Sequence, residues 1–370
     1  MSMVYSEADK LNIWMSIAVE GAARTGKLAA EYNGGINELH SAVLNGNAEL
    51  GKIGPARRSF IRTSASSAYI DDFIAELEKN SIVAVTISDP AYPVLLREID
   101  DPPFVLYERG AAAGQPIESP FAVVGTRHCS DYGRKVALMM GEALASCGVT
   151  VISGLAYGCD SYAHEGALAA NAPFPTAAIL GSGVLIDKKD STQRTMDSIL
   201  ERGMVISEYL PKSLPVKGSF PMRNRIISGI SNGVLVVEAG QKSGTMITVD
   251  FALDQGRNVF AVPGRITDTL NSGTNEMLRA GMAQPVYSVE DLLDQLGLSG
   301  KAVLKSGSVS DIILDVNQKM IYELLEQGEK SFDELLEKTA LDLENLSLHL
   351  TDLEFSGLIK QLPGRVYTVN

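Results

Sequence analysis

The chain has 370 residues, 45% of them hydrophobic and 21% charged, and a formal net charge of -13 at pH 7. This composition can bury more than one sizeable core and excludes a disordered chain. The acidic balance excludes a surface coated for duplex DNA, although a local basic groove is still possible because binding follows the field at the site.

The charge is uneven. Residues 311–370 hold 12 Asp+Glu against 5 Lys+Arg, and residues 120–297 hold 17 against 15. The central region is therefore where an anionic partner is to be sought. No run of 18 apolar residues is present, so no membrane span is expected. The first ten residues, MSMVYSEADK, lack the pattern of a signal peptide. Cys129, Cys147 and Cys159 show no paired spacing and read as reduced thiols of a cytoplasmic protein.

Residues 1–80 read as a module of short helices, expected to serve packing or interaction because a basic Gly-x-Gly hairpin is missing. Residues 81–119 form a connecting segment, with short strands at 82–87 and 104–107 around a proline-punctuated turn. The core spans 120–297. It opens with an apolar strand running into Gly125-Thr126-Arg127, then Ser130, Tyr132 and a helix. The unit repeats. A strand at 150–152 leads into Ser153-Gly154, and Asp160 and His164, four apart, share a face of the next helix. That spacing fits an acid–base pair, and more often a structural hydrogen bond. Strands at 176–180 and 204–209 follow, with Lys188-Lys189 between them.

Phe220-Pro221-Met222-Arg223-Asn224-Arg225 starts a helix, and residues 233–237 form a strand buried on both faces. The strand ends at Glu238, and Lys242-Ser243-Gly244-Thr245 leads into another helix and a strand at 258–262. Strands alternating with helices predict an α/β fold, an extended Rossmann-like, doubly wound, mostly parallel sheet. Ligands of such sheets sit outside the carboxyl ends of the strands, where loop N–H groups and helix N-termini attract anions. The G-x-G-x-x-G and G-x-x-x-x-G-K-[ST] fingerprints are both absent, which counts against dinucleotide and nucleoside-triphosphate sites. Residues 298–310 read as a linker. Residues 311–370 read as three helices and a β-hairpin, a winged helix. Its third helix is acidic where a DNA-reading helix carries Arg, Lys, Asn or Gln, which favours a protein contact.

Gly125-Thr126-Arg127, Ser153-Gly154-Leu155-Ala156, Phe220 to Ile227, Val237-Glu238-Ala239, Ser243-Gly244-Thr245, Phe260 to Gly264 and Ser272 to Asn275 stand in an order and spacing that resembles the DNA-processing protein A (DprA, or Smf) family. The resemblance covers about residues 120–285, and the flanking modules match the family's three-part layout. It implies a bacterial cytoplasmic homodimer that binds single-stranded DNA. Such a protein protects incoming strands during natural transformation and loads a RecA-type recombinase, with no cofactor, metal or catalytic residue. The family's phosphate-binding Gly-Ser-Arg loop falls on Gly125-Thr126-Arg127, with Thr in place of Ser. The family's Tyr-Pro segment after the third strand is absent, which leaves open whether Lys188 or Lys189 replaces the family's basic contact.

On this reading Arg127 and its loop clamp one phosphate, Arg223 and Arg225 track the next, Lys242 adds charge, and Phe220 and Tyr157 meet bases. Asn224 and the Ser153-Gly154 and Ser243-Gly244-Thr245 loops complete the site, while Glu238 holds Arg223 or Arg225. Two alternatives remain. One is a nucleotide N-glycosidic hydrolase of the lysine-decarboxylase-like type using Glu238, although its Pro-Gly-Gly-x-Gly-Thr loop is missing. The other is a recombinase-docking scaffold without DNA affinity.

Overall fold

Short runs of Val, Ile, Ala and Phe build the centre of the molecule. In the computed structural model the described residues are 4–19, 35–48, 55–188, 191–298, 316–326, 328–339, 341–355, 358–362 and 364–369. Lys189 and most of the expected 298–310 linker lie outside them. Packing divides the chain into two units, 1–302 and 303–370.

The first unit carries a nine-stranded sheet in the order β1-β2-β6-β5-β4-β3-β7-β8-β9. The strands are β1 (Ile82–Thr86), β2 (Val105–Arg109), β3 (Phe121–Val124), β4 (Val151–Ser153), β5 (Thr176–Ile179), β6 (Met204–Ser207), β7 (Gly233–Val236), β8 (Asn258–Ala261) and β9 (Gln284–Pro285). From β6 to β9 every pair is parallel. β2 pairs antiparallel with both β1 and β6, with Tyr107 opposite Ser207, so it alone runs against the rest. The mostly parallel doubly wound sheet is thus present. The 81–119 segment extends it at one edge rather than merely connecting two modules.

Residues alternate between two cores. Ala122, Val124, Val234 and Val236 enter one cluster, while Phe121, Val123, Leu235 and Val237 enter the other. Side chains of a strand point to opposite faces, so strands covered on both sides must be apolar throughout. Each fully buried Val, Leu or Ile here stabilises the fold by roughly 1.5–3 kcal/mol.

The N-terminal helices α1 (Glu7–Val19), α2 (Gly35–Leu44), α3 (Pro55–Ser64) and α4 (Ser67–Lys79) share a core around Trp14, Leu39 and Ile61. They do not stand apart from the sheet. Ile13, Ile17 and Leu77 pack with Ala84, Tyr107 and Val205, and the Ser16 and Tyr107 hydroxyls are hydrogen-bonded at 2.5 Å. After the short α5 (Val94–Arg97), the helices of the sheet layers are α6 (Asp131–Ser146), α7 (Cys159–Ala169), α8 (Thr192–Arg202), α9 (Ser219–Ile230), α10 (Thr245–Asp254), α11 (Ser272–Arg279) and α12 (Val289–Gln295). From β3 the chain winds through β4 and β5 to β6, then returns to the other side of β3 for β7, β8 and β9. The reversal leaves a crevice between the loops after β3 and β7.

The second unit contains α13 (Val316–Glu326), α14 (Phe332–Thr339) and α15 (Leu343–Phe355) with a sheet ordered β10-β12-β11, from β10 (Lys330–Ser331), β11 (Ile359–Leu362) and β12 (Val366–Val369). Its core gathers Ile321, Leu335, Leu346, Leu350 and Ile359. Ser331 and Glu334 form the capping box at α14: the Glu334 carboxylate accepts from Ser331 N at 2.7 Å, and Glu334 N donates to Ser331 Oγ at 3.3 Å. These are the three helices and wing read from the sequence. Among the described residues no helix is long and apolar enough to cross a membrane.

Candidate nucleic-acid interface

The loop after β3 is held from both ends by the residue that ends the neighbouring strand segment. Thr126 N donates to Glu238 O at 2.8 Å. The fully buried Glu238 carboxylate accepts from Ser130 N at 2.8 Å and from Ser130 Oγ at 2.6 Å. Ser130 Oγ in turn accepts from Gly133 N at 3.1 Å and caps α6. A Cβ on Gly133 would lie 2.2 Å from the carboxylate, so only glycine leaves room for this clamp. Glu238 therefore holds the loop after β3, and the expectation that it holds Arg223 or Arg225 is corrected.

The loop after β4 is tied to the same place. Ser153 Oγ donates to Val123 O at 2.7 Å. Gly158 has φ of +92°, and a Cβ there would sit 2.4 Å from Thr126 O and 2.6 Å from Arg127 O. Asp160 accepts from Gly154 N at 3.2 Å. His164 does not bond to Asp160; its Nδ1 meets Thr176 Oγ1 at 2.6 Å. Burial, with Arg223 nearby, holds the His164 imidazole down at about 3. Burial raises the Asp160 carboxyl, and the Arg223 charge opposes that shift. The two are structural hydrogen-bonding residues rather than an acid–base pair.

α9 separates its two arginines. Residues two apart on a helix lie about 200° apart, so they cannot face one site together. Phe220, Arg223, Asn224 and Ile227 are spaced 0, 3, 4 and 7, and all four line a cavity of about 400 Å³. Arg223 is only 4% exposed. Its Nη1 donates to Gly154 O at 2.6 Å and to Ile179 O, and its Nε donates to Asn224 Oδ1 at 3.2 Å. Burial lowers its guanidinium to about 10, which leaves it protonated at neutral pH. Arg223 is thus the cationic wall of the cavity and is already bonded to protein. Arg225 points the other way. It is buried, its Nη2 donates to Glu208 Oε2 at 2.5 Å, and its Nε lies 3.9 Å from Asp101. The expectation that Arg225 tracks a phosphate conflicts with this burial, and the i,i+2 spacing already signalled it.

The rest of the cavity comes from the loop after β3 and from the start of α10. Gly125, Thr126 and Arg127 line one side, and Ser243, Gly244 and Thr245 the other. Ser243 Oγ accepts from Thr245 N at 3.2 Å and donates to Thr245 Oγ1 at 2.9 Å, which turns the chain into the helix. The α10 N-terminus thus faces the same space, with its partial positive charge. Lys242 is exposed beside this loop and is not among the lining residues. Arg127 is exposed, and its guanidinium carbon lies 5.8 Å from the centre of the Phe220 ring. A second cavity of about 550 Å³ shares Arg127, Phe220 and Arg223 and adds Tyr157, Leu214 and Lys188. Sequence reasoning did not find Leu214, which sits in a proline-flanked loop without a motif. The neighbouring basic residue, Lys189, is outside the described residues. Among the described residues no cluster of three or more His, Cys, Asp or Glu is placed to hold a metal.

Known proteins resemble this chain in sequence and fold. The DNA recombination-mediator protein A family profile matches residues 83–297, and the DprA winged helix domain profile matches 310–365. Protein Smf of Synechocystis is 31% identical over 331 residues, covering 80% of this chain and 82% of the relative. The DNA processing protein DprA of Streptococcus pneumoniae is 38% identical over 225 residues, covering 60% and 78%. The X-ray structure of the S. pneumoniae protein aligns with a TM-score of 0.60 at 30% identity, over 80% of this chain and 99% of that one. The DNA processing protein A of Helicobacter pylori, solved to describe its single-stranded DNA binding mode, aligns with a TM-score of 0.53 at 27% identity, over 58% and 95%.

Proposed function

This chain belongs to the DNA recombination-mediator protein A family, and from that premise we propose that it binds single-stranded DNA across the two cavities that meet at Arg127 and Phe220. The carrying observation is that pair: an exposed guanidinium on the phosphate loop, stacked near a 37%-exposed aromatic ring. Sequence-tolerant strand binding needs both elements, a cation for the phosphate and a flat face for the base. Arg127, the loop N–H groups and the α10 N-terminus take a phosphate. Phe220 and Tyr157, which is 51% exposed, take neighbouring bases. Arg223 supplies charge from the wall, while Arg225 supports the fold of α9. Lys188 and Lys242 add charge at the margins.

Protection of incoming strands, recombinase loading and a homodimeric, cytoplasmic assembly complete the proposal as consequences of family membership. The H. pylori relative supports the choice of ligand. The hydrolase reading loses its catalytic group, because the Glu238 carboxylate is fully buried and occupied by Ser130.

The test is fluorescence anisotropy of a labelled oligothymidine against a matched duplex across a salt series. Tight binding to the single strand that weakens steeply with salt is expected. No binding at low salt would sink the proposal and leave the docking-scaffold reading.

A further inference from the structure

Two cysteines meet behind the phosphate loop, and the DNA-binding reading makes no use of them. Cys129 stands two residues after Arg127 on the loop, and Cys159 is the first residue of α7. The segments are bonded directly, Cys159 N donating to Thr126 O at 3.2 Å. The Cys159 sulfur fills the place beside Gly125, 2.5 Å from where a Cβ would stand. Cys129 packs against the same cluster of buried residues that holds Cys159. Cys129 is partly exposed and Cys159 is buried. A reagent from solvent therefore reaches Cys129 first and finds Cys159 already behind it.

We propose that Cys129 and Cys159 are a redox modification site: a peroxide oxidises the pair to an intramolecular disulfide, and the cross-linked protein binds single-stranded DNA more weakly. The second half rests on the function proposed above, and the first does not.

The chemistry follows from the placement. The Cys129 thiolate attacks a peroxide oxygen, the O–O bond breaks, and the departing oxygen leaves as water or an alcohol after protonation. Cys129 is now a sulfenic acid. The Cys159 sulfur attacks it, the S–O bond breaks, the S–S bond forms, and the Cys159 proton leaves with the hydroxyl as water. Two thiols lose two electrons, and one peroxide gains them. The neighbouring Cys159 thiol holds the Cys129 thiol below its usual range, which favours the attacking thiolate, while Cys129 and burial push Cys159 up.

Closing the bond brings the sulfurs to about 2.05 Å, inside any non-bonded contact. The Cys129 segment is drawn toward α7, and Arg127, two residues earlier, moves with it. Cys147 is an internal control. It follows the last residue of α6, a 16-residue helix that starts just after Cys129, and such a helix spans roughly 24 Å.

The experiment treats the full chain with hydrogen peroxide, counts thiols under denaturing conditions and maps cross-linked peptides. Wild type is expected to fall from three thiols to one, with residues 129 and 159 joined. C147S should still lose two, and C129S and C159S should form no disulfide. Oligothymidine binding by the oxidised wild type should weaken roughly tenfold, the worth of about one charge-assisted hydrogen bond, and recover with dithiothreitol. Binding by C129S should ignore peroxide. Retention of all three thiols, or a disulfide through Cys147 or between chains, overturns the site. A Cys129–Cys159 disulfide with unchanged binding overturns its effect on DNA. If the reduced protein binds no oligothymidine, the DNA-binding function fails, and the thiol count alone decides the modification site.

Discussion

Arg127 and Arg225 are the same residue type in two regions of one domain, and they sit in opposite environments. Arg127 sits on a loop at the open end of the sheet, exposed and close to the Phe220 ring. Arg225 sits inside, 3% exposed, against Glu208 and near Asp101. A cation kept in water retains its field for a ligand. A buried one is committed to its carboxylate, because leaving either partner alone in a low dielectric is costly. Affinity and stability should therefore separate cleanly between the two positions.

The largest expected effect is on the buried side. Arg225→Ala removes the guanidinium paired with the buried Glu208 carboxylate and should destabilise the fold by about 3–5 kcal/mol, measured by urea denaturation. Replacing both partners with apolar residues of similar size should cost much less. A loss below about 1 kcal/mol for the single change would break the contrast.

Next is Arg127→Ala. It should weaken oligothymidine binding by roughly 1.5–3 kcal/mol and shallow the salt slope by about 0.7, while stability stays within about 0.5 kcal/mol. An unchanged slope in the folded variant would remove Arg127 from the interface.

Glu108 sharpens the comparison by showing a buried carboxylate whose hydrogen-bond donor is a backbone N–H, from Gly114 at 2.8 Å, rather than a guanidinium. Burial pushes its carboxyl up to about 8. The folded state thus favours the protonated acid. That contribution is complete below the unfolded value of about 4.3 and is lost as pH rises to about 8. Glu108→Gln should stabilise the protein at pH 8 and leave it unchanged near pH 4. Equal melting shifts at both pH values would contradict this assignment.

The smallest effect is at Ser130, which links Glu238 to the loop. Ser130→Ala removes the α6 cap and should cost about 1 kcal/mol of stability. Its binding loss should be smaller than that of Arg127→Ala, because the loop is loosened and the cation stays.

Much of this was legible in the chain. The continuous apolar runs at 121–124, 176–179 and 233–236 marked strands covered on both faces, and their alternation with helices marked the parallel sheet. Ser331 and Glu334 announced a helix start that the capping box realises. Gly125-Thr126-Arg127 and Ser243-Gly244-Thr245 were recognised as loops before helices, and the fold brings them to one cavity. The misreadings were those of partner and depth. Glu238 was assigned an arginine and holds a serine, 108 residues away in sequence. The two strands expected in segment 81–119 are present and join the sheet edge.

Local pattern, then, determined which residues form strands, helices and caps, because those depend on neighbours within a few positions. Tertiary structure alone decided that β2 runs against β6, that Glu238 clamps the loop after β3, and that Cys129 packs against the cluster holding Cys159. Each of these joins residues 30 or more positions apart, whose contact is set by chain reversal and shape rather than by any local preference. The division of α9, with Arg223 at the cavity and Arg225 inside, lies between the two. Helical spacing separated the arginines, and only the packed sheet determined which of them would face the ligand.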